Sequence, residues 1–143
     1  MSVNIRNLDI SINGNSIVHD VQLTIADGER VGLIGSSGSG KSMIAKAMMG
    51  ILPSMAQVSG DIDLDGTHVV GATDEVMATL RGRSVGMVFQ NPSVALNPVM
   101  TVAQQVGLPL YLHYDLTLEE RAERVKTMPV SYTHLTLPTK RIV

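Results

Sequence analysis

The sequence predicts an α/β fold with an antiparallel, β-rich part near the N-terminus. Three observations carry this reading. Apolar residues alternate over Val3–Ile12 and again at Val21, Leu23 and Ile25, with turn dipeptides after each. A short apolar run, Arg30 to Ile34, feeds a glycine-rich loop and then a segment free of Gly and Pro. A second run of the same kind, Val85 to Phe89, ends in a polar stretch bearing proline.

Each element has its own local reason. The first strand carries apolar residues at 3, 5, 8, 10 and 12, a near-alternation with one slip, and stops at Asn13-Gly14-Asn15. The second stops at Asp27-Gly28, a strong turn pair. Arg30 to Ile34 has the character of a strand buried on both faces. Ser42 to Met49 is helix-compatible and ends at Gly50, with Pro53 just beyond. Ile62 and Leu64 lead to a turn at Asp65-Gly66, from which Thr67 to Val70 returns. Thr73 caps a short helix over 74–80, and Thr101 caps another. Thr117-Leu118-Glu119-Glu120 has capping-box spacing and opens a helix through about Lys126. Met43, Met48 and Met49 fall at helical spacing and are expected to fill core gaps. Arg81 and Arg83 read as solvated charges flanking a strand.

Composition narrows the function classes. The 143 residues suit one domain. With 11 Lys+Arg against 13 Asp+Glu the net charge is −2, which removes the electrostatic case for a nucleic-acid binder. There is no cysteine, so disulfide frameworks and thiolate metal sites are excluded. No apolar run approaches the roughly 18 residues that span a bilayer, and the opening MSVNIRNLDI lacks the pattern of a secretion signal, so a cytosolic location is expected. The aromatics are Phe89, Tyr111, Tyr114 and Tyr132 alone, so the core must be aliphatic. His19, His68, His113 and His134 lack ligand spacing. Asp61, Asp63 and Asp65 alternate with apolar residues and form the wet face of a strand rather than a cation site.

The chemistry is concentrated in Gly35-Ser36-Ser37-Gly38-Ser39-Gly40-Lys41-Ser42, which fits G-x-x-x-x-G-K-[ST]. A triphosphate is solvated by backbone N–H groups converging in a nest, and only residues without bulky side chains let the backbone wrap that closely. The helix that follows points its positive end at the phosphates. Lys41 is expected to reach the β- and γ-phosphate oxygens, and the Ser42 hydroxyl to ligate Mg²⁺. A strand before the loop and a helix after it are the context this motif requires. Downstream, Val85-Gly86-Met87-Val88-Phe89-Gln90-Asn91-Pro92 delivers a glutamine into a polar loop, where its carbonyl can bind Mg²⁺ or a metal-bound water.

Taken together, GSSGSGKS, LRGRSVGMVFQNP and the spacing between them resemble the ATP-binding subunit of an ABC transporter, from about Val3 to Met128. VFQNPSVALNPVMTV looks more narrowly like the oligopeptide, dipeptide and nickel importer branch. The resemblance implies a P-loop NTPase domain with an antiparallel β subdomain and a parallel core sheet, here incomplete. It implies ATP and Mg²⁺ as cofactors, Gly35 to Ser42 as the Walker A loop, and Gln90 as the Q-loop glutamine contacting the metal and the attacking water. It also implies transmembrane permease subunits, a second ATP-binding subunit in a head-to-tail dimer, an indirect link to a substrate-binding protein, and a peripheral position on the cytoplasmic side of the cell membrane. Where the family often stacks adenine on an aromatic residue, the matching position is Ile12, so base contact is apolar packing.

Three family features that follow the Q-loop are not in the sequence: the LSGGQ-like signature, a Walker B strand ending in Asp-Glu, and the switch histidine. The expectation is therefore an N-terminal portion, residues 1–129, that binds nucleotide weakly and does not turn it over. Its inner strands would lack neighbours, and unpaired apolar edges favour aggregation. Residues 130–143 fit nothing upstream. Val130 to Thr139, VSYTHLTLPT, matches the translation of a transposase-type sequencing adaptor, so this tail is set apart as non-native. Two other functions stay open on sequence grounds, an ABC-type ATPase of chromosome or repair systems and a nucleotide-binding fragment without a role of its own.

Overall fold

The computed structural model describes residues 1–91 and 96–130. Residues 131–143, with Tyr132, His134 and nearly all of the adaptor-like tail, lie outside the described residues, as do residues 92–95 of the proline-bearing stretch. The chain divides into two compact units, Met1–Met87 and Val88–Val143.

In the first unit, β1 (Val3–Ile12), β2 (Asn15–Ile25), β3 (Ala56–Leu64) and β4 (Thr67–His68) form one antiparallel sheet in the order β2-β1-β3-β4. The β1–β2 hairpin turns at Asn13 and Gly14, with φ of 49° and 79°, as an Asn-Gly turn requires. The slip in the alternation of β1 is a bulge. Arg6 pairs with Asp61 and Asp9 with Ser59, so Asn7 and Leu8 together face Gly60 alone. Asn7 takes a left-handed φ of 46°. The extra residue shifts the phase of the strand, so Val3, Ile5, Leu8 and Ile10 all enter the same core. Strict alternation would send the first pair and the second pair to opposite faces. A second left-handed residue, Asp20 (φ 44°), sits in β2, and its carboxylate accepts from the Asn7 side chain at 3.0 Å. Asp9 accepts from the Asp20 amide at 3.2 Å and pairs with His19 Nδ1 at 2.6 Å, and these bonds hold its carboxyl below the usual range.

Two helices complete this core. Ile44 and Ala47 of α1 (Lys41–Met48) and Met77 of α2 (Asp74–Leu80) are buried with the sheet residues, and Met43 and Met48 pack around them. Helix α1 ends as expected at Gly50, whose φ is 61°. One expectation is overturned there. Arg81 is not a solvated charge: Nε donates to the Met49 carbonyl at 2.9 Å, Nη2 to the Gly50 carbonyl at 3.0 Å, and Nη1 to Asp74 at 2.9 Å. The exposed carbonyls at a helix C-terminus are acceptors that a planar guanidinium matches in pairs. The alternating aspartates are engaged in local bonds. Asp61 pairs with His68 at 2.8 Å, Asp63 accepts from the Gly66 amide at 3.1 Å, and Asp65 from the Ser2 amide at 3.3 Å.

The parallel core strands do not form. Residues 31–34 and 85–89 belong to no strand, and Val85 makes only an isolated bridge to Arg81. Ile34 is 95% exposed and Val88 97%. A strand exists only where its amides and carbonyls meet a neighbour along an edge, and the four-stranded antiparallel sheet is built without these two segments. The α/β class and its antiparallel part therefore stand, while the expected inner strands are not formed among the described residues.

The second unit is a helix pair. α3 (Val102–His113) opens on a full capping box, with Thr101 Oγ1 accepting from the Gln104 amide at 3.2 Å and Gln104 accepting from the Thr101 amide at 2.8 Å. α4 (Leu118–Val130) opens on the same device between Thr117 and Glu120 and runs past the expected Lys126. Gly107 lets Val125 approach, and Arg121 lies 4.9 Å over the Tyr111 ring.

The bulge makes a graded prediction. A Cβ at Gly60 would strike the carbonyl oxygens of Asn7 and Arg6, at a φ of 93°, whereas Gly66 has φ 88° and open space around it. Gly66→Ala should cost about 1 kcal/mol from backbone strain alone, and Gly60→Ala about 3 kcal/mol or more. Urea denaturation of the two variants measures the difference, and equal losses would show that the bulge yields freely. A second prediction concerns pH. The Asp61 carboxylate beside His68 raises the imidazole pKa above its ordinary 6.5. A raised folded pKa stabilises fully below the unfolded value and is lost as pH climbs through the folded one. By NMR titration His68 should titrate above its ordinary value, Asp61→Asn should bring it back, and the stability difference between the two should fade at alkaline pH.

Candidate functional site

The glycine-rich loop is seated on the sheet by an absent side chain. Gly40 is buried, has φ 83°, and a Cβ there would meet Val18 Cγ2 at 2.7 Å and the Ile17 carbonyl at 2.9 Å. It is also the residue from which α1 starts, and no side chain caps that helix. Gly38 repeats the left-handed conformation at φ 83° with open space around it. Gly35 approaches Ser39 so closely that a Cβ would lie 2.8 Å from its Oγ. The three glycines thus serve three different needs: a packing contact with β2, a backbone turn, and a closure of the loop on itself.

Lys41, the first residue of α1, folds back over this loop. Its Nζ donates to the Gly35 carbonyl at 2.8 Å, the Ser36 carbonyl at 2.5 Å and Ser39 Oγ at 3.1 Å. The loop is closed further by the Ser39 amide donating to the Ser36 carbonyl at 3.3 Å. Gly38, Ser39, Gly40, Lys41, Ser42 and Met43 line a shallow cavity of about 160 Å³ together with Ile17. Ser37 lies in the exposed turn before it, and Ser42 is exposed on the first turn of α1.

These residues fit an anionic phosphate group. The helix start is uncapped by any side chain, its dipole is positive toward the cavity, and the nearest cation already rests on oxygens that a phosphate can replace. Ser42 offers a hydroxyl suited to a hard divalent cation bridging such a phosphate.

The remaining expected residues are elsewhere. Ile12 closes β1, paired with Asn15 and Ala56, and the apolar side chain that lines the cavity is Ile17. Ile17 and Val18 were not singled out by sequence reasoning. Their signal is the apolar doublet that breaks the alternation of β2, two adjacent residues of which Val18 enters the core and Ile17 the cavity wall. Gln90 is exposed and belongs to the second unit.

Comparison with known proteins places this geometry in a family. The family model described as ABC transporter matches residues 18–141. The oligopeptide transport ATP-binding protein OppD of Lactococcus lactis subsp. cremoris is 45% identical over 97 residues, covering 67% of this chain and 29% of that protein. OppD of Mycobacterium bovis is 36% identical over 124 residues, 87% of this chain and 20% of that protein. The metal-staphylopine import system ATP-binding protein CntD of Staphylococcus aureus is 36% identical over 104 residues, 73% of this chain and 38% of that protein. The chain thus spans between a fifth and two fifths of the length of these relatives. Among solved structures, the ATP-binding cassette MJ0796 in a dimeric post-hydrolysis state bound to ADP and Pi superposes with a TM-score of 0.73 at 28% identity, covering 87% of this chain and 54% of that one. The phosphate-loop geometry, the family match and the cassette superposition agree: this chain belongs to the ABC transporter family and is built on the fold of its ATP-binding cassette.

Proposed function

We propose that the chain is the nucleotide-holding part of an ATP-binding subunit that powers an ABC importer, of peptides or of nickel, by ATP binding and hydrolysis. The observation that carries this reading is the phosphate loop itself, with Gly40 packed on β2 and the Lys41 amine held on loop oxygens at the mouth of an uncapped helix. The names of the OppD relatives support transport of oligopeptides, and that of CntD, a metal-staphylopine import system protein, supports import.

The chain's own residues divide the work. Backbone amides over Gly35 to Ser42 cradle the phosphates, and Lys41 leaves its carbonyl partners to neutralise the β- and γ-phosphate oxygens. Ser42 would hold Mg²⁺ through its hydroxyl, and the ion would supply neutralisation of phosphate charge. Gln90 would offer its amide carbonyl to such a metal or to a water bound on it. The base rests on apolar surface, for which Ile17 at the cavity and Ile12 at the end of β1 are the available side chains.

Permease subunits, a second ATP-binding subunit and, through the permease, a substrate-binding protein are the proposed partners. The dimeric state of the MJ0796 cassette supports the pairing. No helix among the described residues is long and apolar enough to cross a membrane, and we place the chain peripherally on the cytoplasmic side. We further assign residues 1–129 to the cassette and 130–143 to the adaptor-derived tail; codons other than those of the adaptor over Val130 to Thr139 would remove that division.

A titration with a fluorescent ATP analogue and Mg²⁺ tests the reading. The 143-residue chain should bind it, Lys41→Ala should weaken binding by about tenfold or more, and neither should turn ATP over at a measurable steady rate. No binding by the unaltered chain would overturn the nucleotide site, and steady ATP hydrolysis lost in Lys41→Ala would overturn the proposed inactivity.

A further inference from the structure

The phosphate-loop helix is held at both ends, and its second anchor lies outside the loop. At its start Gly40 is wedged against Ile17 and Val18. At its end, the Arg81 guanidinium spans the Met49 and Gly50 carbonyls at 2.9 and 3.0 Å and ties them to Asp74 at 2.9 Å. Gly50 is shaped for this: a Cβ there would lie 3.2 Å from Arg81 Nη2 and equally close to Met77. The Arg81 side chain is 28% exposed and that of Asp74 88%, and of the three bonds the one from Nε to the Met49 carbonyl is partly buried.

Arg81 is also the base of a tight turn. The Gly82 amide donates to the Val85 carbonyl at 2.9 Å, the Val85 amide donates to the Leu80 carbonyl at 3.1 Å, and Arg81 and Val85 form an isolated bridge. From Val85 the chain continues in sequence to Gln90. An α-helix of eight residues is about 12 Å long and stiff on that scale, so a displacement at its carbonyl end is passed to Lys41 and the loop at the other.

We propose that Arg81 is a positioning residue for the nucleotide site: it fixes the carbonyl end of the phosphate-loop helix to the turn over residues 80–85, so the loop's helix and that turn share one anchor. Its bearing on nucleotide affinity rests on the ATP-binding reading above; its bearing on the loop does not. Arg81→Lys is the informative change, because an ammonium keeps the charge but cannot span two carbonyls and a carboxylate from one plane. Met77→Ala is the control, a core truncation beside the same helix that removes packing and leaves the guanidinium.

The experiment compares amide resonances of the nucleotide-free, full 143-residue chain in three forms, unaltered, Arg81→Lys and Met77→Ala, and then titrates each with Mg²⁺ and ATP. Arg81→Lys should shift Gly38 to Ser42 and Val85 together, and weaken ATP binding by about tenfold. Met77→Ala should lower stability yet leave the loop resonances and affinity close to those of the unaltered chain. Shifts in Arg81→Lys that stop at Met49 and Gly50 would overturn the proposal, as would equal loop shifts in the Met77→Ala control. If ATP moves no loop resonance in the unaltered chain, the nucleotide reading fails, and the nucleotide-free comparison still decides the role of Arg81.

Discussion

The N-terminal unit depends on one change of phase. β1 is paired along both edges and must present its apolar side chains to a single core, yet its apolar positions are odd-numbered at first and even-numbered afterwards. The bulge at Asn7 resolves the conflict, and it is tolerated because Gly60 across the sheet has no Cβ to collide with the displaced carbonyls. Leu8 and Ile10, both fully buried, reach the core only through it. The packing of Ile44 and Ala47, and therefore the placement of the phosphate-loop helix, follows from that core.

A second absence of side chain joins core to chemistry. Gly40 brings the loop onto β2 at a distance no other residue type permits, so the loop inherits the rigidity of a strand paired to β1 over its length. At the far end of α1 the same economy recurs at Gly50, where the close approach admits a guanidinium. The functional helix is thus located by two glycines and the groups they let in, rather than by its own propensity. At eight residues it is too short to be stable alone.

Much of this was legible in the sequence. The four strands, their turn dipeptides, α1 with its Gly50 stop, the Thr101 cap and the Thr117–Glu120 capping box follow from local patterns whose physics is local. The glycine-rich loop was legible because its residue types answer close backbone approach and left-handed turns. Two kinds of feature were not. The inner strands at 31–34 and 85–89 have the composition of buried β-structure, but a strand is a relation between segments, and composition records only one side of it. Arg81 looked solvated because nothing in its neighbours announces that carbonyls 32 and 31 residues away accept from it. Ile17 was hidden by the better alternation of Val21 to Ile25, which drew the strand boundary too late.

The lysine resting on its own loop has a consequence for selectivity. Its ammonium is already coordinated by three oxygens, those of Gly35, Ser36 and Ser39, so an incoming anion must replace a tridentate shell. Chloride offers a single acceptor and a carboxylate two oxygens, so either exchanges three bonds for fewer. A polyphosphate presents several oxygens and can replace more of these bonds. The closed loop thereby sets a higher threshold for simple anions than for ones that offer several oxygens at once.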